Sequence, residues 1–207
     1  PLFNKYFDVS IHRSSINMKI DLILRLTTLV LLIIWRVYWF LTAKNALAKK
    51  PKTKTNVGYF EKILIGVTGG YLFINLIGFV IFPFNNIFIQ FVGLVFVILG
   101  FTECIVARKN LDTNWTESYE YQIKKDHELI TKGIYGYVRH PIYGGILMMF
   151  PGSLIVAGSY SFLVVLIIIL IGIEIFARRE EKLLTKHFGK KYIEYMKATK
   201  KFIPFVY

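Results

Sequence analysis

The sequence predicts an all-α membrane protein of about five transmembrane helices, the last two a tight helical hairpin. Three observations predict it: an apolar composition, five separate apolar windows, and basic residues confined to alternate connections. Of 207 residues, 55% are hydrophobic and 19% charged, and the mean hydropathy is +0.49, too apolar for an ordinary water-soluble domain. A hydrocarbon core about 30 Å thick takes roughly 20 apolar residues per helix. The length suits one bundle, so residues 1–207 read as a single unit.

Residues 22–41 form the first window, with Arg25 and Arg36 near its ends, placed for their long side chains to snorkel toward headgroups. Residues 63–82 form the second, and the PFNN that follows suits a short turn. Residues 87–107 are the third window. The fourth, 142–158, is short and glycine-rich, and the fifth is 161–177. So little chain separates the last two that they read as an antiparallel hairpin. Gly144, Gly145 and Gly152 allow close approach of another helix, within the chain or in a second copy.

The basic residues orient the bundle. Lys44, Lys49, Lys50, Lys52, Lys54 and Lys62 crowd the first connection, and the third connection and the tail are basic again, whereas PFNN and the SY between the last two windows carry no charge. By the positive-inside rule the N-terminus lies outside and the C-terminus in the cytoplasm. The net charge of +13 needs no nucleic-acid partner, because each basic group beside anionic headgroups gains on the order of 1 kcal/mol. Cys104, the lone cysteine, lies inside the third window and supports neither a disulfide nor a metal site. Residues 1–18 lack a signal-peptide cleavage pattern, and the first residues read as trimmed.

Polar residues collect in 108–141 and 178–207. The first of these is a connection of about 35 residues, long enough to be functional, and Trp115, Tyr119, Tyr121, Tyr135 and Tyr137 argue that it is ordered. In the tail, Leu183, Leu184, Phe188, Tyr192, Ile193 and Met196 recur near a 3.6 period broken at Gly189. The fifth helix therefore continues past the membrane, breaks at FGK, and is followed by a short helix packing back on the loop until Pro204 ends it. Loop and C-terminal helix are thus placed to hold a ligand between them. A ligand with an ammonium, a carboxylate and an adenine, as in S-adenosylmethionine, calls for a carboxylate, a cation or N–H donor, and an aromatic slot. Glu180 and Glu181, Arg139 and His140, and Tyr135 and Tyr143 supply those types at one membrane face. Taken singly, Arg139 also reads as a headgroup anchor and the Glu pair as a solvated charge cluster. Glu103 and Glu174 are costly within a bilayer: Glu103 reads as snorkelling or functional, Glu174 as paired with Arg178 one turn on.

The runs NWTESYEYQIKKDHELITKGIYGYVRHPIYGG and REEKLLTKHFGKKYIEYMKATKKFIPFVY resemble the isoprenylcysteine carboxyl methyltransferase family, its prokaryotic relatives and the related phospholipid N-methyltransferases. The likeness runs from Asn114 to the C-terminus and rests on Asn114-Trp115-Thr116, His127 with Leu129-Ile130, Gly133-Ile134-Tyr135, Arg139-His140-Pro141 with Tyr143, Glu180-Glu181, and Phe188-Gly189 with Tyr192 and Tyr195. The first three spans are similar only in hydropathy and count. The resemblance implies S-adenosylmethionine in a cytoplasmic pocket closed by the loop and the tail, bound by His127, Leu129, Ile130, Tyr135, His140 and Tyr143 with Glu181 at the reacting end; the residue chemistry adds Glu180 to the binding set and Arg139 beside Glu181 as catalytic, and no metal is expected. It implies a lipophilic acceptor among membrane lipids, foremost the carboxylate of an isoprenylcysteine-like molecule. A phospholipid amine is the alternative acceptor, and an NADPH-dependent sterol-type reductase, which shares an Arg-His-x-x-Tyr core, the alternative enzyme. Two positions depart from the pattern: Phe176 stands where relatives often carry Arg, and Lys201 where the residue before the final Ile-Pro is often Arg.

Overall fold

The computed structural model describes residues 2–47, 59–80, 82–112 and 128–204. Among them the regular elements are all helical: α1 (Leu2–Leu47), α2 (Tyr59–Leu76), α3 (Ile87–Leu111), a 3-10 turn (Gly133–Gly136), α4 (Pro141–Val156), α5 (Phe162–Phe188) and α6 (Lys190–Ala198). The first five helices contain or overlap the five apolar windows. By length and apolarity, α3 is the one described helix that suffices on its own to cross a membrane, and α4 is apolar but shorter. At 25 residues, α3 rises about 37 Å, more than a hydrocarbon core of about 30 Å requires.

The second helix stops six residues before the apolar window does. Gly78 takes a φ of +110°, which a residue with a Cβ adopts only under strain, and the amides of Gly78 and Phe79 close the last turn on the carbonyls of Asn75 and Ile74. Hydropathy does not register this cap, because the residues beyond it remain apolar. The tail has the expected shape. Helix α5 runs unbroken to Phe188, Gly189 turns the chain at φ +59°, and α6 begins at once.

A seam of glycines joins α3 to α4. A Cβ on Gly93 would stand 2.9 Å from the carbonyl of Gly152, and one on Gly145 would stand 2.7 Å from the carbonyl of Gly100. The glycines of α4 thus meet another helix of the same chain. That helix is α3, not the hairpin partner α5, and α4 packs more extensively on it. Leu24, Leu76, Val97, Met149 and Val156 complete a core shared by α1 to α4, and Tyr143, Ile173, Ala177 and Phe202 form a second one between α4, α5 and the tail.

The two uncharged turns touch. Phe84 N–H donates to the Gly158 carbonyl at 2.7 Å and Tyr160 N–H to Phe82 at 2.9 Å, with Pro83 and Ser159 bridged between them. Both turns therefore lie on one face, and the Arg108, Arg139 and Lys200 ends lie on the other. Arg25 does not snorkel. It pairs with Asp21 at 2.8 Å and donates to the Asn75 carbonyl, while Asp21 accepts from Gln90 at 2.6 Å. An internal partner one turn away satisfies the guanidinium more cheaply than reaching for the headgroups. The outer faces of the helices are apolar and exposed, as at Val30 and Val37 of α1, Phe88 and Val95 of α3, and Val164, Ile167 and Ile171 of α5. Aliphatic belts this broad call for a lipid solvent rather than water.

Candidate functional site

Pro141 occupies the first position of α4, where its fixed φ suits a helix start and its missing N–H costs nothing. His140 is the cap before it. The residues leading into this cap are strapped to the tail through the backbone: Arg139 N–H donates to Lys200 at 2.9 Å, His140 N–H to Lys201 at 3.0 Å, and Lys200 N–H to Tyr137 at 3.0 Å. Val138 and Lys200 form a parallel bridge. A segment of irregular chain thereby gains the regular pairing that buried amides require, and the tail lies across the head of α4.

Five of the candidate residues converge there. Arg139 Nε donates to Glu181 Oε1 at 2.6 Å and its Nη1 to the Thr199 carbonyl at 2.6 Å. His140 Nε2 lies 3.2 Å from the same Glu181 oxygen, and its Nδ1 lies 3.7 Å from Glu180. Tyr143 donates its hydroxyl to Glu180 at 3.0 Å. The His140 and Tyr143 rings stack at 5.4 Å, and Phe202 closes against both, at 6.1 and 6.4 Å. Tyr135 is buried in the 3-10 turn, and its carbonyl accepts from the Tyr195 hydroxyl of α6 at 2.7 Å, which pins the turn to the C-terminal helix. Leu129 and Ile130 are half-buried in the segment leading to that turn. His127, like Asn114, Trp115, Thr116, Tyr119 and Tyr121, lies outside the described residues.

Burial would raise the Glu181 carboxyl, but the hydrogen bonds from His140 and Arg139 and the positive charge behind them outweigh it and hold the group at about 2. It is a committed anion. Burial, followed by the charge of Glu180, pushes the Tyr135 hydroxyl well above its ordinary range, and burial with the charge of Glu181 does the same to Tyr192. Both phenols stay neutral near pH 7.

Sequence reasoning missed the contributions of the tail. Lys201, buried, reaches Glu174 at 2.8 Å and Glu181 at 3.8 Å, so Glu174 has this cation as well as the expected Arg178 at 2.6 Å. The backbone oxygen of Thr199 and the ring of Phe202 were likewise not singled out. The departure of Lys201 from the family pattern was the available signal. Beside this network opens a cleft of about 820 Å³, lined by Arg139, Glu174, Arg178, Glu181, Met196 and Lys201 among others. Its volume suits a ligand of nucleotide size. The residue types suit S-adenosylmethionine: the cleft itself offers the Glu181 carboxylate and the Arg139 and Lys201 cations, and Glu180 with the His140, Tyr143 and Phe202 rings lies behind it.

Comparison with known proteins gives this arrangement relatives. The family model for phospholipid methyltransferases matches residues 88–191, half of the chain, and takes in α3, which the sequence likened to the family only by hydropathy. The chain is 32% identical over 155 residues to the protein-S-isoprenylcysteine O-methyltransferase of Schizosaccharomyces pombe, covering 72% of this chain and 65% of that protein. It is 32% identical over 127 residues to the protein of that name from Dictyostelium discoideum, covering 55% of this chain and 48% of that one. The chain thus spans less than two thirds of the length of these curated relatives. Its fold is similar to that of the eukaryotic intramembrane Ras methyltransferase, isoprenylcysteine carboxyl methyltransferase, with a TM-score of 0.63 at 20% identity, covering 87% of this chain and 66% of that one. From the matched span, which runs from the glycine seam through the strapped Arg-His head and the Glu pair, the chain belongs to the phospholipid methyltransferase family, alongside the isoprenylcysteine carboxyl methyltransferases.

Proposed function

We propose that this protein is an S-adenosylmethionine-dependent methyltransferase that methylates the carboxylate of an isoprenylcysteine-like lipophilic acceptor at the cytoplasmic face of a membrane. Its five spans then place the N-terminus outside and the C-terminus in the cytoplasm. The names of the relatives support the enzyme class and this choice of acceptor, and one observation agrees with it. Glu181 is held at about 2 by Arg139 and His140, so it is a poor base near neutrality. An amine acceptor must shed a proton before it attacks. A carboxylate, with an ordinary pKa of about 3.5, arrives with its lone pair free and needs no base.

S-Adenosylmethionine, when bound, supplies a methyl group made electrophilic by its positively charged sulfur. The chain's own residues align and desolvate. Glu181 fixes Arg139 by accepting from Nε, the Thr199 carbonyl fixes Nη1, and Nη2 remains to hold an acceptor carboxylate. His140, Tyr143 and Phe202 form a stacked wall that excludes water. Glu180, steadied by the Tyr143 hydroxyl, would hold the amino-acid ammonium of the cofactor. Half-buried Leu129 and Ile130 and the Tyr135 ring of the turn would line the cofactor, a role the resemblance also gives His127.

Equilibrium binding to the detergent-purified protein tests this reading. Saturable binding of S-adenosylmethionine is expected; binding of a reduced nicotinamide dinucleotide alone would make the protein a reductase. Arg139→Ala and Glu181→Gln are each expected to lower turnover of a farnesylated cysteine by about tenfold or more, with the protein still extracting as a folded bundle. Full activity in either would remove that residue from the site.

A further inference from the structure

The cleft beside the charge network carries more positive charge than that network uses. Arg139, Arg178, Lys197, Lys200 and Lys201 line it against the carboxylates of Glu174 and Glu181, an excess of three positive charges. Both carboxylates are already matched, Glu181 by Arg139 and His140 and Glu174 by Arg178 and Lys201. Lys197 and Lys200 are exposed and have no ion-pair partner among the described residues. Backbone bonds fix where they stand. Lys197 lies in the last turn of α6, and Lys200 belongs to the strap, its carbonyl accepting from Arg139 N–H and its own N–H donating to Tyr137. Both ammonium groups therefore spring from the short segment whose Thr199 carbonyl holds the Arg139 guanidinium. They form a basic rim beside the group assigned to the acceptor carboxylate.

The cofactor does not account for this excess. S-Adenosylmethionine carries an ammonium, a sulfonium and one carboxylate, so its net charge has the same sign as the cleft. The positive-inside bias accounts for exposed lysines such as Lys182 and Lys186 on α5, but those stand outside the cleft, whereas Lys197 and Lys200 line it. An acceptor carboxylate answers one of the three charges, and the rim remains. Resting on the methyltransferase reading, we propose that Lys197 and Lys200 select the acceptor by charge: the site takes an isoprenylcysteine-like acceptor in which acidic groups precede the reacting cysteine, and disfavours a basic one. Opposite charges at the rim of a site speed encounter and fix orientation, and like charges facing each other oppose docking.

Three farnesylated peptides that end in cysteine and differ only in the two residues before it, Asp-Asp, Ser-Ser or Lys-Lys, test this. Each is turned over by the full chain in an uncharged detergent at low ionic strength, and kcat/KM is read. The Asp-Asp peptide is expected to exceed the Lys-Lys peptide by about tenfold, with Ser-Ser between them, and salt at about 0.5 M is expected to bring the three together. Replacing both lysines, Lys197→Gln with Lys200→Gln, is expected to shrink the spread to about twofold while the affinity for S-adenosylmethionine stays within about twofold. Should that variant fail to fold, the salt series on the unsubstituted protein still decides, since a spread that salt does not reduce would overturn the proposal. One rate for all three peptides would overturn it, and so would a spread that survives the double substitution. A rate that follows the anionic-lipid content of vesicles alike for all three peptides would make the rim a headgroup contact and overturn it too. Turnover of none of the three would instead bring down the isoprenylcysteine reading on which this inference rests.

Discussion

Glu181 receives an arginine and a histidine from the head of another helix, and this governs how the site meets acid. Its carboxyl lies at about 2 instead of the ordinary 4.5. A carboxyl depressed on folding contributes stability that is complete above the unfolded value and is lost as the pH falls toward the folded one. The docking of α5 on the α4 head is therefore expected to be undiminished above pH 4.5 and to weaken progressively down to about pH 2. Thermal unfolding in detergent, stepped through that window, checks it, and Glu181→Gln should flatten the profile. The residue types of this network were legible in the sequence, since carboxylate, guanidinium and imidazole sat at opposite ends of two predicted helices. The Thr199 contact was not legible, because a backbone carbonyl looks the same whatever side chain it belongs to. The partner of Lys201 was not legible either, because it depends on where the tail turns after Ala198.

At the level of elements, the five apolar windows marked which stretches are helical, and Gly189 marked the break in the tail. They misplaced the end of α2, where the cap at Gly78 is a backbone event inside an apolar run. They also left open which helix meets the glycines of α4. The pairing of Gly100 with Gly145 and of Gly93 with Gly152 spans two helices that no local pattern connects. Gly100→Ala drives a methyl group into the backbone of α4 at Met149 and is expected to cost about 1–3 kcal/mol. Gly172→Ala on α5, where a Cβ meets nothing within 4 Å, is expected to be neutral or to stabilise by up to about 1 kcal/mol through helix propensity. Melting temperatures of the two variants in one detergent distinguish a packed glycine from a tolerated one; equal shifts would contradict the seam.

For the whole molecule, the alternation of charged and uncharged connections anticipated which ends share a face, and the backbone bonds between the Phe84 and Gly158 turns bear that grouping out. Which face is cytoplasmic rests on the charge rule alone. Cys104, the one cysteine, is buried, so the native chain offers no thiol to a membrane-impermeant maleimide. Asn85→Cys and Lys200→Cys, both at exposed positions, are expected to label from opposite sides of intact cells, Asn85→Cys from outside and Lys200→Cys only after permeabilisation. Labelling of both from one side would reject the arrangement.

The glycine seam has a mechanical consequence. Where backbones meet without intervening side chains, there are no long rotamers to yield, so α3 and α4 form the stiffest contact of the bundle, and His140 rides at its end. The contact of α5 on α4, made through the longer side chains of Leu147, Ile169 and Phe176, is the more yielding of the two. The tail is bonded to the head of the stiff pair through the backbone of Arg139 and His140, so strain applied to the bundle is expected to be taken up on the α5 side first.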